Sequence, residues 1–105
     1  MTAQSKTAHA PSLAELRQRR NEILALARRH GASSIRIFGS VARGDAGLAS
    51  DIDLIVDLDP DRSLLDLAGL HLDLEDLLGR PVDVGTAASL RERIRERVLR
   101  ESIPL

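Results

Sequence analysis

The sequence predicts a small α/β (α+β) domain, a mixed β-sheet with flanking helices. Three observations lead there. Apolar residues switch between helical and two-residue periods in the order α-β-turn-β-α-β-α. Helix start and stop signals bracket three segments. The link between the first two strands is too short for a crossover helix, so that pair is predicted antiparallel and the sheet mixed.

The elements follow in order. Residues 1–11 show no period and read as a flexible tail, leaving 12–105 as the folded domain. Ser12 with Glu15 forms a capping box, and Gly31 sits where a helix stops. Leu13, Leu16, Ile23, Leu24 and Ala27 mark the buried face of that helix. Residues 35–38 read as a strand. "GSVARG" follows as a turn with one helical turn, and "DAGLA" as a loop. Asp51 to Asp57 is the second strand. Ile52, Leu54 and Val56 share one face; Asp51, Asp53 and Ile55 share the other. After "LDPDR", Ser63 caps a leucine-rich helix that ends at Gly79. Val82 to Val84 centre a third strand. Ser89 with Glu92 is a second capping box, opening a last helix through about Ser102.

Composition narrows the function. The chain has 105 residues, 43% hydrophobic and 30% charged, which is globular composition for one small domain. A net charge of -1 argues against broad capture of nucleic acid or anionic membrane. With no cysteine there is no disulfide, thiolate metal site or Cys nucleophile. Phe38 is the sole aromatic, so base stacking on the usual aromatic platform is nearly excluded and no direct nucleic-acid binding is expected. The apolar runs are too short to span a bilayer and no signal peptide precedes them, so no membrane partner and a cytoplasmic location are expected.

The chemistry gathers in residues 37–57, "IFGSVARGDAGLASDIDLIVD". Asp51 and Asp53 lie on one strand face about 6.5 Å apart. Crowded carboxylates repel, and one holds a proton unless a cation sits between them. Oxygen ligands without His or Cys suit Mg²⁺ or Mn²⁺. If the third strand lies beside the second, Asp83 joins the same face. Three carboxylates can hold two ions roughly 3.5–4 Å apart, the spacing used in phosphoryl transfer. The Gly-Ser turn supplies an anion cradle. Gly39 permits close backbone approach, the N–H groups of Ser40 to Ala42 point at an anion, and Arg43 offers a phosphate-matching fork. A lone D-x-D or Gly-Ser is ordinarily decoration or a turn. The joint G-S-x10-D-x-D pattern fixes four residues at about 6% each, so it arises by chance in roughly one such chain in a thousand.

"GSVARGDAGLASDIDLIV" closely resembles the signature of the minimal (MNT-type) nucleotidyltransferases of the DNA polymerase β-like superfamily. The resemblance continues through "GRPVDV" to the terminal "ERVLRESIPL". It implies the polymerase β-like nucleotidyltransferase fold and ATP as substrate. By it, Gly39 and Ser40 bind the triphosphate, and Asp51, Asp53 and Asp83 are the catalytic residues that ligate two Mg²⁺ or Mn²⁺ ions. Asp83 also activates the attacking hydroxyl, and Arg43 and Ser50 match further nucleotide-binding positions. Family members of this size are commonly antitoxins paired with HEPN-domain toxins, and some transfer AMP to a toxin tyrosine. This chain has no Tyr, so a tyrosine acceptor belongs to another molecule. The expected function is therefore a metal-dependent protein adenylyltransferase that acts as antitoxin. One alternative is an antitoxin that neutralises its toxin by binding, with little turnover. A second is a subunit of a small-molecule nucleotidyltransferase, though no second domain is evident to hold such a substrate.

Other features admit two readings. Leucines of the segment 64–78 cover an arc wider than a surface helix needs, so the excess is core or partner surface. His71 and Glu75, four residues apart, read first as a structural hydrogen bond and second as a proton relay. Arg91, Arg93, Arg95, Arg97 and Arg100 read as a solvated face, with Leu90, Ile94 and Val98 as a narrow core stripe; the sharper reading is a docking helix.

Overall fold

A computed structural model describes residues 9–105 of the chain. Its first helical segment divides into α1 (Leu13–Gln18) and α2 (Arg20–Arg29), where a single helix was expected. The break falls at Arg19, whose guanidinium donates to the Leu77 carbonyl at 3.0 Å and to Glu22 at 3.1 Å. Leu16 of α1 and Ile23 of α2 are both buried in the core. Ser12 accepts from the Glu15 N–H at 3.1 Å, but the Glu15 carboxylate pairs with His9 Nε2 at 2.9 Å instead of completing the box. Residues 1–8 of the expected tail lie outside the described residues. Of the remaining three, Pro11 is buried, and the exposed His9 accepts through its carbonyl from Arg80 at 2.7 Å.

β1 (Ala32–Phe38) starts three residues before the expected strand. It contains a bulge, with Ser34 at φ 52° and a register shift between Ser33 and Arg36. α3 (Gly39–Arg43) is the helical turn expected after the strand, ended by Gly44 at φ 80°. β2 (Ile52–Leu58) is one of the two interior strands. α4 (Leu64–Leu78) runs from a capping box of Ser63 with Asp66 to left-handed Gly79, followed by β3 (Val82–Thr86).

The last segment departs most from expectation. Ser89 lies in a 3-10 turn, Ala87–Ser89, and its hydroxyl donates to the Thr86 carbonyl at 2.8 Å. It takes part in a capping box with Thr86 around that turn and does not cap α5. α5 (Glu92–Glu101) starts from Arg91 with no side-chain cap. Arg95 leaves the solvated face and donates to the carbonyls of Ala87 and Leu90 at 2.8 and 3.0 Å. No α5 residue is buried, and Ile94 is 41% exposed, so the expected core stripe of Leu90, Ile94 and Val98 does not form. A final strand, β4 (Ile103–Pro104), was not expected.

The sheet order is β3-β2-β1-β4. β1 runs antiparallel to β2 and β4, and β2 runs parallel to β3, so the sheet is mixed. On one face, Ile35, Ile37, Ile52, Leu54, Val56 and Val82 pack with Leu16, Ile23, Ala27, Leu70 and Leu74 of the helices. The opposite face carries Asp53 and Ile55 and is partly covered by the 3-10 turn and α5. There Arg36 ties the end of α5 to β1, donating to the buried Ser102 hydroxyl at 2.6 Å. Among the described residues no helix is long and apolar enough to cross a membrane.

Candidate active site

Strand pairing assembles the site. Phe38 of β1 stands opposite Asp53 of β2, and Asp53 opposite Asp83 of β3. Paired residues on neighbouring strands point to the same face, so Asp53 and Asp83 lie side by side. The end of β1 and the starts of β2 and β3 thus meet at one end of the sheet. Asp51 immediately precedes β2 and is exposed, as is Asp83. Burial pushes the Asp53 carboxyl above its ordinary range, the charges of Asp83 and then Asp51 push it further, and Arg43 opposes them. Four of the expected residues therefore share one electrostatic neighbourhood.

Gly39 has a reason beyond the one read from sequence. Its φ is 73°, which disfavours any side chain, and a Cβ there would collide with Asp53 Oδ2. The Gly-Ser turn and the Asp-Ile-Asp strand are one packing unit. Ser40 is the second residue of α3, after Gly39, and its carbonyl accepts from the Asp45 N–H at 3.0 Å. Arg43 pairs loosely with Asp45 at 3.3 Å, both side chains well exposed. The Ser50 hydroxyl accepts from the Gly47 N–H at 2.8 Å and so fixes the loop that leads into Asp51.

The donor set fits a hard divalent cation: three carboxylates and no thiolate, the His71 ring beside Asp83 being engaged by Glu75. Among the described residues no three such side chains are gathered closely enough to form a ready-made ligand cluster. His71 and Glu75 take the structural reading. They pair at 3.1 Å, and Glu75 accepts from the Val82 N–H at 3.0 Å, fixing the start of β3 one residue before Asp83.

Two grooves open beside the carboxylates. One, of about 310 Å³, lies between Phe38, Gly39 and Arg43 on one side and α5 on the other. The other, of about 200 Å³, runs from Asp83 and Val84 to Leu64, Leu67 and His71 of α4. The first was hidden in the sequence because Ile94 and Val98 carry the spacing of a core stripe.

The sequence profile of the nucleotidyltransferase domain matches residues 19–105. The chain belongs to that family. The nucleotidyltransferase is 42% identical over 78 residues to protein adenylyltransferase MntA of Thermococcus cleftensis, covering 74% of this chain and 79% of that one. It is 38% identical over 84 residues to a protein of Methanocaldococcus jannaschii assigned as a protein adenylyltransferase, covering 80% and 90% of the two chains. A solved structure assigned as a minimal nucleotidyltransferase superposes with a TM-score of 0.82 at 53% identity, over 90% of this chain and 97% of that one. A toxin–antitoxin crystal structure with AMP-PNP superposes with a TM-score of 0.69 at 24% identity, over 80% and 69%, a likeness of fold alone.

Proposed function

We propose that this nucleotidyltransferase transfers AMP from ATP to a hydroxyl of a partner protein, a tyrosine of a HEPN-domain toxin, and acts as the antitoxin of a cytoplasmic pair. The observation that carries the reading is the placement of Asp53 beside Asp83, with Gly39 closed against Asp53. A binder alone needs no such crowding of carboxylates, since the proximity costs stability. The relatives named protein adenylyltransferase supply the reaction class.

In this reading Gly39, Ser40 and Arg43 hold the triphosphate, and Ser50 shapes the loop that presents Asp51. Asp51, Asp53 and Asp83 would hold two Mg²⁺ or Mn²⁺ ions. When bound, such ions neutralise charge on the reacting phosphate and on the departing pyrophosphate. Asp83, exposed on the edge strand β3, takes the proton of the acceptor hydroxyl. The acceptor oxygen forms a bond to the α-phosphorus, the bond from that phosphorus to the bridging oxygen breaks, and pyrophosphate leaves. The tyrosine comes from outside, because this sequence contains none. The groove from Asp83 to Leu64 and the exposed leucines of α4 give it a surface to approach on.

Intact mass spectrometry of the chain mixed with the product of its neighbouring gene, ATP and Mg²⁺ tests this. The partner should gain one or more AMP masses and this chain none, with Asp83→Ala preventing the gain. A partner that is neutralised with its mass unchanged would replace transfer with inhibition by docking.

A further inference from the structure

We infer that α5 is the second wall of the nucleotide site, with Arg97 a phosphate-binding residue opposite Arg43. The inference deepens the function proposed above and rests on it. The groove of about 310 Å³ shares Gly39 and Arg43 with the proposed triphosphate cradle, and Arg97 and Glu101 line it from α5. Two arginines on facing walls make a cationic slot in a chain whose net charge is -1. The remaining lining is apolar: Phe38 from β1 faces Ile94 and Val98 from α5. A ligand with a flat apolar body and a polyanionic tail matches that division, and a nucleoside triphosphate is such a ligand.

The ion pairs in the slot are weak enough to exchange. Arg97 meets Glu101 at 3.4 Å with side chains 71% and 59% exposed. Arg43 is comparably open. Exposed pairs of this kind gain little from their attraction, so phosphate oxygens compete for the same donors on favourable terms. The helix itself is fixed independently of the slot, by Arg95 on the carbonyls of Ala87 and Leu90 and by Arg36 on Ser102. That division explains why α5 has no buried residue and yet is anchored at both ends. It is held as a wall whose apolar pair, Ile94 and Val98, faces space that substrate fills.

Calorimetric titration of Mg²⁺-ATP and of adenosine into four proteins tests this: wild type, Arg97→Gln, Arg93→Gln and Ile94→Asp. Arg93 is an exposed α5 residue outside the groove lining, so its variant controls for loss of one positive charge. Arg97→Gln should weaken ATP about 3- to 10-fold, as expected for a charge-assisted hydrogen bond at an open site, and leave adenosine unchanged. Arg93→Gln should match wild type for both ligands. Ile94→Asp should weaken ATP and adenosine alike. If wild type binds ATP and Arg97→Gln binds it equally well, α5 is not the wall and the transferase reading survives. If wild type itself binds no ATP, the transferase reading fails and takes this inference with it.

Discussion

Asp53 and Gly39 are the residues whose chemistry is most constrained. Asp53 holds its proton more tightly in the folded chain than in the unfolded one, because of burial and then of Asp83 and Asp51. A raised folded pKa contributes stability that is fully present below the unfolded value and is lost as pH rises through the folded value. Asp53→Asn should therefore melt at a higher temperature than wild type at neutral pH in EDTA. The gain should vanish in acid, where wild-type Asp53 is also neutral. The same variant should lose nucleotidyl transfer, and Mg²⁺ should raise the melting temperature of wild type more than that of the variant. A lower melting temperature for Asp53→Asn at neutral pH would show that the carboxylate is satisfied without a cation. Gly39→Ala meets two obstacles, a left-handed φ and the Asp53 carboxylate. The backbone term alone is about 1–2 kcal/mol, so thermal melts should show a clear loss, and the displaced Asp53 should weaken ATP binding measured on the folded fraction.

Between β3 and α4, one hydrogen bond sets where Asp83 stands. The Val82 N–H and the His71 ring lower the pKa of Glu75, the backbone bond being the larger cause. That contribution is present above the unfolded pKa and lost as pH falls through the folded one, opposite in sign to Asp53. Glu75→Ala removes the acceptor of the Val82 N–H and should lower the midpoint of denaturant titration. Activity should fall with it, because β3 begins one residue before Asp83. His71→Ala should do little to either. The sequence displayed this pair as i,i+4 spacing but could not display its backbone target. The same limit recurs across the elements. The mixed sheet and the antiparallel first pair were legible, because two-residue alternation and loop length determine them; the meeting of Asp53 with Asp83 was legible only on condition that the third strand pairs with the second, which the sheet order supplies. The break at Arg19 was not, since it answers to Leu77 some sixty positions away. Ser89 matched a helix cap by spacing, yet Thr86 competes for its hydroxyl in the turn. β4 is too short to carry an alternation, and α5 has the period of a buried helix while bordering an open groove.

At the scale of the molecule, the outer face of α4 stands apart from the core it covers. Leu70 and Leu74 are fully buried, whereas Leu64, Leu65 and Leu72 are 79%, 83% and 63% exposed. Substitution of such exposed side chains changes stability by only about 0.5 kcal/mol. Leu65→Asp and Leu72→Glu should therefore melt like wild type yet fail to co-elute with the partner in size-exclusion chromatography; normal co-elution would place the docking face elsewhere. Partner studies gain from another property of the chain. With neither Trp nor Tyr, it is nearly dark in near-ultraviolet absorption and in intrinsic fluorescence. Its single phenyl ring, Phe38, borders the groove beside Gly39. Tyrosine emission from any mixture therefore belongs to the other protein, and esterification of a phenol can be followed there without background. In proton spectra the lone phenyl ring gives one spin system, so the molecule carries an unlabelled reporter at the edge of its own site.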